Sequence, residues 1–322
     1  MKLLKACNPV KLFRFIQHKL KKRIHNKLKE LNKDRQFAEF RNKYIKQSEK
    51  IYYSYNELNE NPPDADVYIV GSDQVWNPAF LNKARTRAYF LGFGKTSVKR
   101  ISYAASFGKD KLKDGFITEI VPLLNKFLYV SVREKSGLAI CRQCGINNAE
   151  WVPDPTMLFD GNTYRSLYQN EPVKRPKKPY CFLYMLGNRH DFSIQMVYDW
   201  ANEKNIDVVY VTGNAKYDSY EKVYTTIPEW VYLIDNADYV ITNSFHCSVF
   251  SLLFKKRFGV IPSKGELRGM NDRFISLFEM FEIEERFIDN DFNVLEKNHQ
   301  DLVQNSFAEM RNSCKLLNIL KR

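Results

Sequence analysis

Five short motifs, each closing an apolar strand-like run, follow one another in fixed order along this chain. They are Gly71-Ser72-Asp73-Gln74-Val75-Trp76, Ile101-Ser102-Tyr103-Ala104-Ala105-Ser106-Phe107-Gly108, Ser131-Val132-Arg133-Glu134, Val152-Pro153-Asp154-Pro155 and Thr242-Asn243-Ser244-Phe245-His246. Short buried strands alternating with helical stretches predict a parallel sheet covered on both faces. In such sheets ligands sit beyond the carboxyl ends of the strands. A chain that ends its strands in Asp, Arg, Glu, Ser and His, instead of plain turn residues, places chemistry there.

The predicted strands are 67–70, 100–105, 129–132 and 151–152, with a helix over 135–144. A second α/β series follows: strands at 180–186, 208–211, 239–241 and 258–261, and helices at 192–203, from Pro228 onward and at 245–254. Proline suits a first helical position, where its missing N–H costs nothing. Residues 169–179 are polar with three prolines and read as the linker. The expected architecture is α/β, two Rossmann-like domains facing a cleft, with a basic N-terminal helical arm. The expected boundaries are 1–50 for the arm, 51–170 for an N-terminal α/β domain and 171–322 for a C-terminal α/β domain. Helices that include 298–320 are expected to close one side.

Charge is unevenly placed. Residues 1–50 hold 16 Lys/Arg and 4 Asp/Glu, a net of +12, whereas the other 272 residues hold 34 and 33, a net of +1. The basicity therefore belongs to the arm and says nothing of nucleic-acid binding by the body. Within the arm Phe13, Ile16, Leu20, Ile24, Leu28 and Leu31 share one helical face flanked by lysines. Such a helix either lies on an anionic membrane surface, through residues 10–35, or packs on the domain with a solvated basic side. Six cysteines are scattered, and Cys141-Arg-Gln-Cys144 is a lone CxxC without a second pair, which reads as two reduced thiols. The N-terminus lacks an uninterrupted apolar stretch with a small-residue cleavage site, and no run approaches the roughly 20 apolar residues of a membrane span. The expected location is cytoplasmic, peripheral at the inner face of the membrane.

The ordered set GSDQVWNP, ISYAASFG, SVRE, DPT and TNSFH, followed by FSLLFKKRF, resembles the polysaccharide pyruvyl transferase family over roughly residues 35–290. The resemblance implies a two-domain fold like the B-type glycosyltransferases. It implies transfer of the pyruvyl group of phosphoenolpyruvate to a sugar, as a ketal bridging two hydroxyls, with no metal or redox cofactor. Some members carry an arginine where this chain has Ser244, so another cation must hold the donor here.

His246 follows a strand and opens a helix, whose N-terminal amides favour phosphate. The resemblance makes it a donor ligand and general acid; otherwise it caps or packs. Asn243 and Ser244 supply further donors. Arg133 suits a carboxylate or phosphate, or it anchors a salt-bridge network with Glu134. Asp73 either takes a proton from the acceptor hydroxyl or caps a loop. Asp154, between two prolines, either orients a catalytic group or fixes an interdomain turn. Arg268 and Arg273 are equal candidates for the missing cation. Ser72, Gln74, Trp76, Ser106 and His190 are expected to line the acceptor side, Trp76 by stacking unless it is core. The alternatives are a nucleotide-sugar glycosyltransferase of the same fold and a noncatalytic polysaccharide-assembly scaffold.

Overall fold

The computed structural model describes residues 35–297 apart from 175, 188–191, 213–218 and 290. The basic arm up to residue 34, His190 and the C-terminal helix expected at 298–320 lie outside the described residues.

The first half carries four parallel strands, β1 (Val67–Val70), β2 (Lys99–Ser102), β3 (Ser131–Val132) and β4 (Glu150–Trp151). Three crossover helices join them: α3 (Lys83–Tyr89), α4 (Asp114–Leu124) and α5 (Lys135–Gln143). Two short helices, α1 (Phe37–Tyr44) and α2 (Tyr55–Glu60), precede the first strand. β1 pairs with β2 and β3 with β4, while bridges at Ile101–Tyr129 and Ala105–Val132 join β2 to β3. The order is thus 1-2-3-4 with no reversal. The α3–β2 loop is pinned by the buried Arg100, which donates to the carbonyls of Leu91, Phe93, Lys95 and Val98 at 2.8, 2.6, 3.1 and 2.7 Å.

The second half is built the same way but reverses. Its strands are β5 (Tyr180–Met185), β6 (Asp207–Thr212), β7 (Tyr239–Thr242) and β8 (Arg257–Val260), in the order β6-β5-β7-β8. α7 (Ile194–Glu203), α8 (Ile227–Asp235) and α9 (Phe245–Leu253) connect them, and α10 (Asp272–Met280) follows. β5 is buried along almost its whole length, as a central strand covered on both faces must be. One face packs α8, α9 and α10 through Val231, Phe250, Phe258 and Phe278; the other packs α7 through Val197 and Leu183. α8 starts where its proline predicts. Thr226 and Glu229 close a reciprocal capping box there. The strand order reverses between β5 and β7, which is where ligands of such sheets bind.

The two halves meet earlier in the chain than composition suggests. Met157, Tyr164, Leu167 and Tyr168 already pack on the second half's core, and Arg165 of α6 (Gly161–Arg165) pairs with Asp235 at 2.7 Å. The crossing therefore falls near Asp154, not in the proline-rich 169–179 stretch, whose polarity marks exposed chain and not a seam. Across the seam the Lys135 N–H donates to Ser276 at 3.0 Å, and Ser136 donates to Asp272 at 2.5 Å. This locks the start of α5 to α10.

Gly71, at the end of β1, has φ +131°, and a Cβ there would overlap the backbone carbonyl oxygen of Tyr103. The two strand ends approach so closely that only glycine fits. Gly71→Ala should lower stability by about 3 kcal/mol or more, since backbone strain and backbone overlap combine. Urea unfolding checks this, and an unchanged midpoint would show that the two strand ends are free to separate.

Candidate active site

The end of β1, the end of β3, the seam and the start of α9 converge on one carboxylate. Asp154 is 1% exposed. Its Oδ2 accepts from Ser72 Oγ at 2.5 Å and Arg133 Nη1 at 3.1 Å, and lies 3.7 Å from His246 Nε2. Its Oδ1 accepts from the N–H and hydroxyl of Thr156, at 3.1 and 2.8 Å, which caps the turn beginning at Pro155. Four of the five motifs thus meet here, because Asp154 stands where the chain passes between the halves. Burial opposes its charge, but His246, then Arg133 and Ser72, outweigh burial and hold its carboxyl well below the usual carboxylate range.

Arg133 is almost wholly buried. Its Nε donates to Glu134 at 3.2 Å, its guanidinium lies 4.3 Å from the Phe245 ring centroid, and Nη2, 3.6 Å from Asp73 Oδ1, has no hydrogen-bond partner. Burial works against this charge, and Glu134, Asp154 and Asp73 together hold it above its ordinary value. Glu134 accepts from Ser106 at 2.6 Å; burial pushes its carboxyl up despite Arg133 and Ser106.

A cleft of about 1020 Å³ opens in front of this cluster. Asp73, Gln74, Phe80, Arg85 and Tyr89 line it from the first half. Leu186, Asn243, Phe245, His246 and Arg273 line it from the second. His246 is the only residue of α9 that is not buried, and the helix meets the cleft through its imidazole and the buried ring of Phe245. Ser244 caps the helix by accepting from the Cys247 N–H, which leaves the first-turn N–H groups of Phe245 and His246 without partners inside the helix. Arg273, at the start of α10, has an Nε that is buried with no hydrogen-bond partner. Burial, then the nearby Arg133, pushes its guanidinium down to about 10. Asn243 bonds both the N–H and the carbonyl of Leu186, at 2.7 and 2.8 Å, and so clamps the ends of β5 and β7 together at the switch point.

A family model described as polysaccharide pyruvyl transferase matches residues 4–265. The chain belongs to that family. Among curated proteins none matches the chain. Among solved structures it is similar to the UDP-GlcNAc 2-epimerase of Methanocaldococcus jannaschii in complex with UDP-GlcNAc and UDP, at 13% identity over 80% of this chain and 73% of that one, TM-score 0.48. It is also similar to the UDP-GlcNAc 2-epimerase of Neisseria meningitidis bound to UDP-GlcNAc, at 10% identity over 83% and 79%, TM-score 0.44. A third is the glycosyltransferase SnogD of Streptomyces nogalater, at 10% identity over 73% and 69%, TM-score 0.34. Likeness at that level bears on neither substrate nor mechanism. The architecture stands on the chain's own geometry, two parallel α/β halves across a cleft.

Within this site the sequence-predicted residues divide. Asp73, Gln74, Asn243, Ser244, His246 and Arg273 line the cleft, and Ser72 and Asp154 stand directly behind His246. Trp76 does not face a sugar: it is fully buried, stacks on Phe90 at 4.8 Å and donates its indole N–H to Tyr89. Ser106 is likewise buried, its hydroxyl spent on Glu134 and the Gly108 N–H. Arg133 is absent from the cleft lining, and its contacts are with Asp154, Glu134 and the Phe245 ring. Ser244 and Asn243 reach the wall with their polar atoms engaged by protein. Arg268 faces a neighbouring cavity with Asp110, Lys264 and Glu285, so Arg273 alone of the two arginines joins His246. Sequence reasoning missed Phe80, Arg85 and Tyr89. An outward aromatic just after a buried Trp has no local signature that separates it from core.

Proposed function

We propose that this cleft transfers the pyruvyl group of phosphoenolpyruvate onto a sugar of a polysaccharide intermediate, as a ketal. The observation that supports it best is the placement of His246. The imidazole stands at a helix N-terminus, beside the unpaired Arg273 Nε and in front of a carboxylate held ionised. Phosphoenolpyruvate carries a phosphate and a carboxylate, and a helix N-terminus with a guanidinium suits both groups.

The chemistry follows from those positions. One sugar hydroxyl attacks C2 as its proton passes to Asp73, the exposed carboxylate across the cleft. C3 receives a proton from the His246 imidazolium, turning the methylene into a methyl group. A second hydroxyl then displaces phosphate from C2. Of the two hydroxyl protons, one ends on C3 and the other on the departing phosphate, by way of Asp73 and His246. Asp154 stays ionised throughout and holds the imidazole. Arg133 and Ser72 hold Asp154. No step in this scheme calls for a resident metal or redox cofactor.

The acceptor is placed on a lipid-linked intermediate, with the protein at the inner, anionic face of a membrane. The net +12 of residues 1–50 supports this part. No helix among the described residues is long and apolar enough to cross a membrane.

Thermal unfolding with phosphoenolpyruvate, UDP-sugars or GDP-sugars tests the reading. A ligand that binds only the folded state stabilises it by about 2.7 kcal/mol at 100 times its dissociation constant. Phosphoenolpyruvate should raise the melting temperature of the wild type, and Arg273→Gln should abolish most of that rise. Stabilisation by a sugar nucleotide with none by phosphoenolpyruvate would replace pyruvyl transfer with glycosyl transfer.

A further inference from the structure

The cleft is larger than its donor end requires. Its volume of about 1020 Å³ lies at the upper end of what encloses a drug-sized ligand, and phosphoenolpyruvate is far smaller. The unclaimed wall belongs to the first half and carries two large exposed aromatics, Phe80 at 57% and Tyr89 at 45% exposure. Neither is loose. Asn77 caps the short turn that holds Phe80, accepting from the Ala79 N–H at 2.9 Å, and the buried Trp76 anchors the Tyr89 carbonyl at 3.1 Å. Between them in sequence lies Arg85. Its backbone N–H is held by the Asn82 side chain at 2.9 Å, and its Nη1 donates to the Phe80 carbonyl at 3.3 Å. No carboxylate among the described residues pairs with this guanidinium.

Rings presented to a cleft from an anchored backbone stack on other flat or apolar faces, and the C–H face of a hexose is one. An uncompensated guanidinium beside them selects an anionic substituent, because it binds phosphoryl and carboxylate groups with paired N–H donors. We infer that Phe80, Arg85 and Tyr89 form the acceptor subsite, and that it takes an anionic sugar: a hexose bearing a phosphoryl or carboxyl group. The inference rests on the pyruvyl-transfer reading only in calling the sugar an acceptor. Arg85 then sets specificity, while Arg273 and His246 at the other end of the cleft serve the donor.

The test is equilibrium binding to the full chain, wild type against Arg85→Gln and against the double variant Phe80→Ala, Tyr89→Ala. The probes are glucose 1-phosphate, glucuronate, neutral glucose, orthophosphate and phosphoenolpyruvate. All three side chains are exposed, so unchanged melting temperatures are expected and are measured first. Glucose 1-phosphate or glucuronate, or both, should bind the wild type at least about tenfold more tightly than glucose, and which of them wins identifies the anion. Arg85→Gln should remove that preference, the aromatic variant should weaken every hexose by roughly tenfold, and neither should alter phosphoenolpyruvate binding. The subsite is overturned if glucose binds as tightly as the anionic hexoses, if Arg85→Gln keeps the preference, if the aromatic variant binds as the wild type does, or if no hexose binds. It is also overturned if orthophosphate alone binds as tightly as glucose 1-phosphate, which would mark an adventitious ion only. Hexose binding that depends on Arg85, with no phosphoenolpyruvate binding at all, would leave the subsite standing and remove pyruvyl transfer.

Discussion

His246→Ala should cut kcat by about 10²- to 10⁴-fold, the contribution of one positioned acid. The imidazole is 40% exposed, so its removal opens no buried cavity. Asp154 keeps Ser72, Arg133 and Thr156 as partners when it goes. The stabilisation by phosphoenolpyruvate should also fall, since the same side chain borders the donor. Kinetics with saturating donor separate the two effects. A variant that loses affinity but keeps kcat within tenfold of the wild type would leave His246 a ligand and give the proton to another group.

The second large effect falls on stability. Asp154→Asn removes the negative charge that three elements share and leaves the Arg133 guanidinium underpaired in the interior. Breaking a buried ion pair in this way costs about 3–5 kcal/mol. The sign of the pH dependence follows from the depressed carboxyl. The unfolded chain takes up a proton on this group near pH 4, the folded chain only well below that. The carboxylate's contribution is therefore complete above about pH 4 and is lost as pH falls from there toward the folded value. Urea unfolding should show the full gap between wild type and variant at pH 7, shrinking by roughly 1.4 kcal/mol for each pH unit below 4. A gap that ignores pH would mean that lost packing, and not lost charge, sets the cost. Glu134→Gln is the internal control. Burial raises that carboxyl, so its charge already counts against the fold and its removal should cost less than the loss of Asp154.

The parts of this design that sequence reveals are those written contiguously. The strand ends, the helix starting near Pro228 and the prominence of His246 all sit in runs of a few residues, where apolar pattern and turn chemistry point the same way. Asp154 also shows, through the prolines on either side of it. What stays hidden is the direction a side chain takes once its strand has ended. Past that point neither a period of two nor of 3.6 residues governs which way it faces. Trp76 and Ser106 turn inward for that reason, six and four residues beyond their strands. Arg268 and Arg273 lie on one turn-and-helix segment, and the path of that segment sends them to different cavities. Phe80 and Tyr89 present the converse problem: composition assigns an aromatic to the core, and only the tertiary frame of Trp76 and Phe90 shows these two left outside.

The burial of α9 bears on where motion during turnover is to be found. Eight of its nine residues are buried, in the core that also holds Phe258 of β8 and Phe274 and Phe278 of α10. A helix so enclosed belongs to the part of a protein that opens only when the whole domain unfolds. The imidazole is therefore mounted on an enclosed element. Motion that admits substrate is expected at the exposed Asp73 turn rather than at this helix.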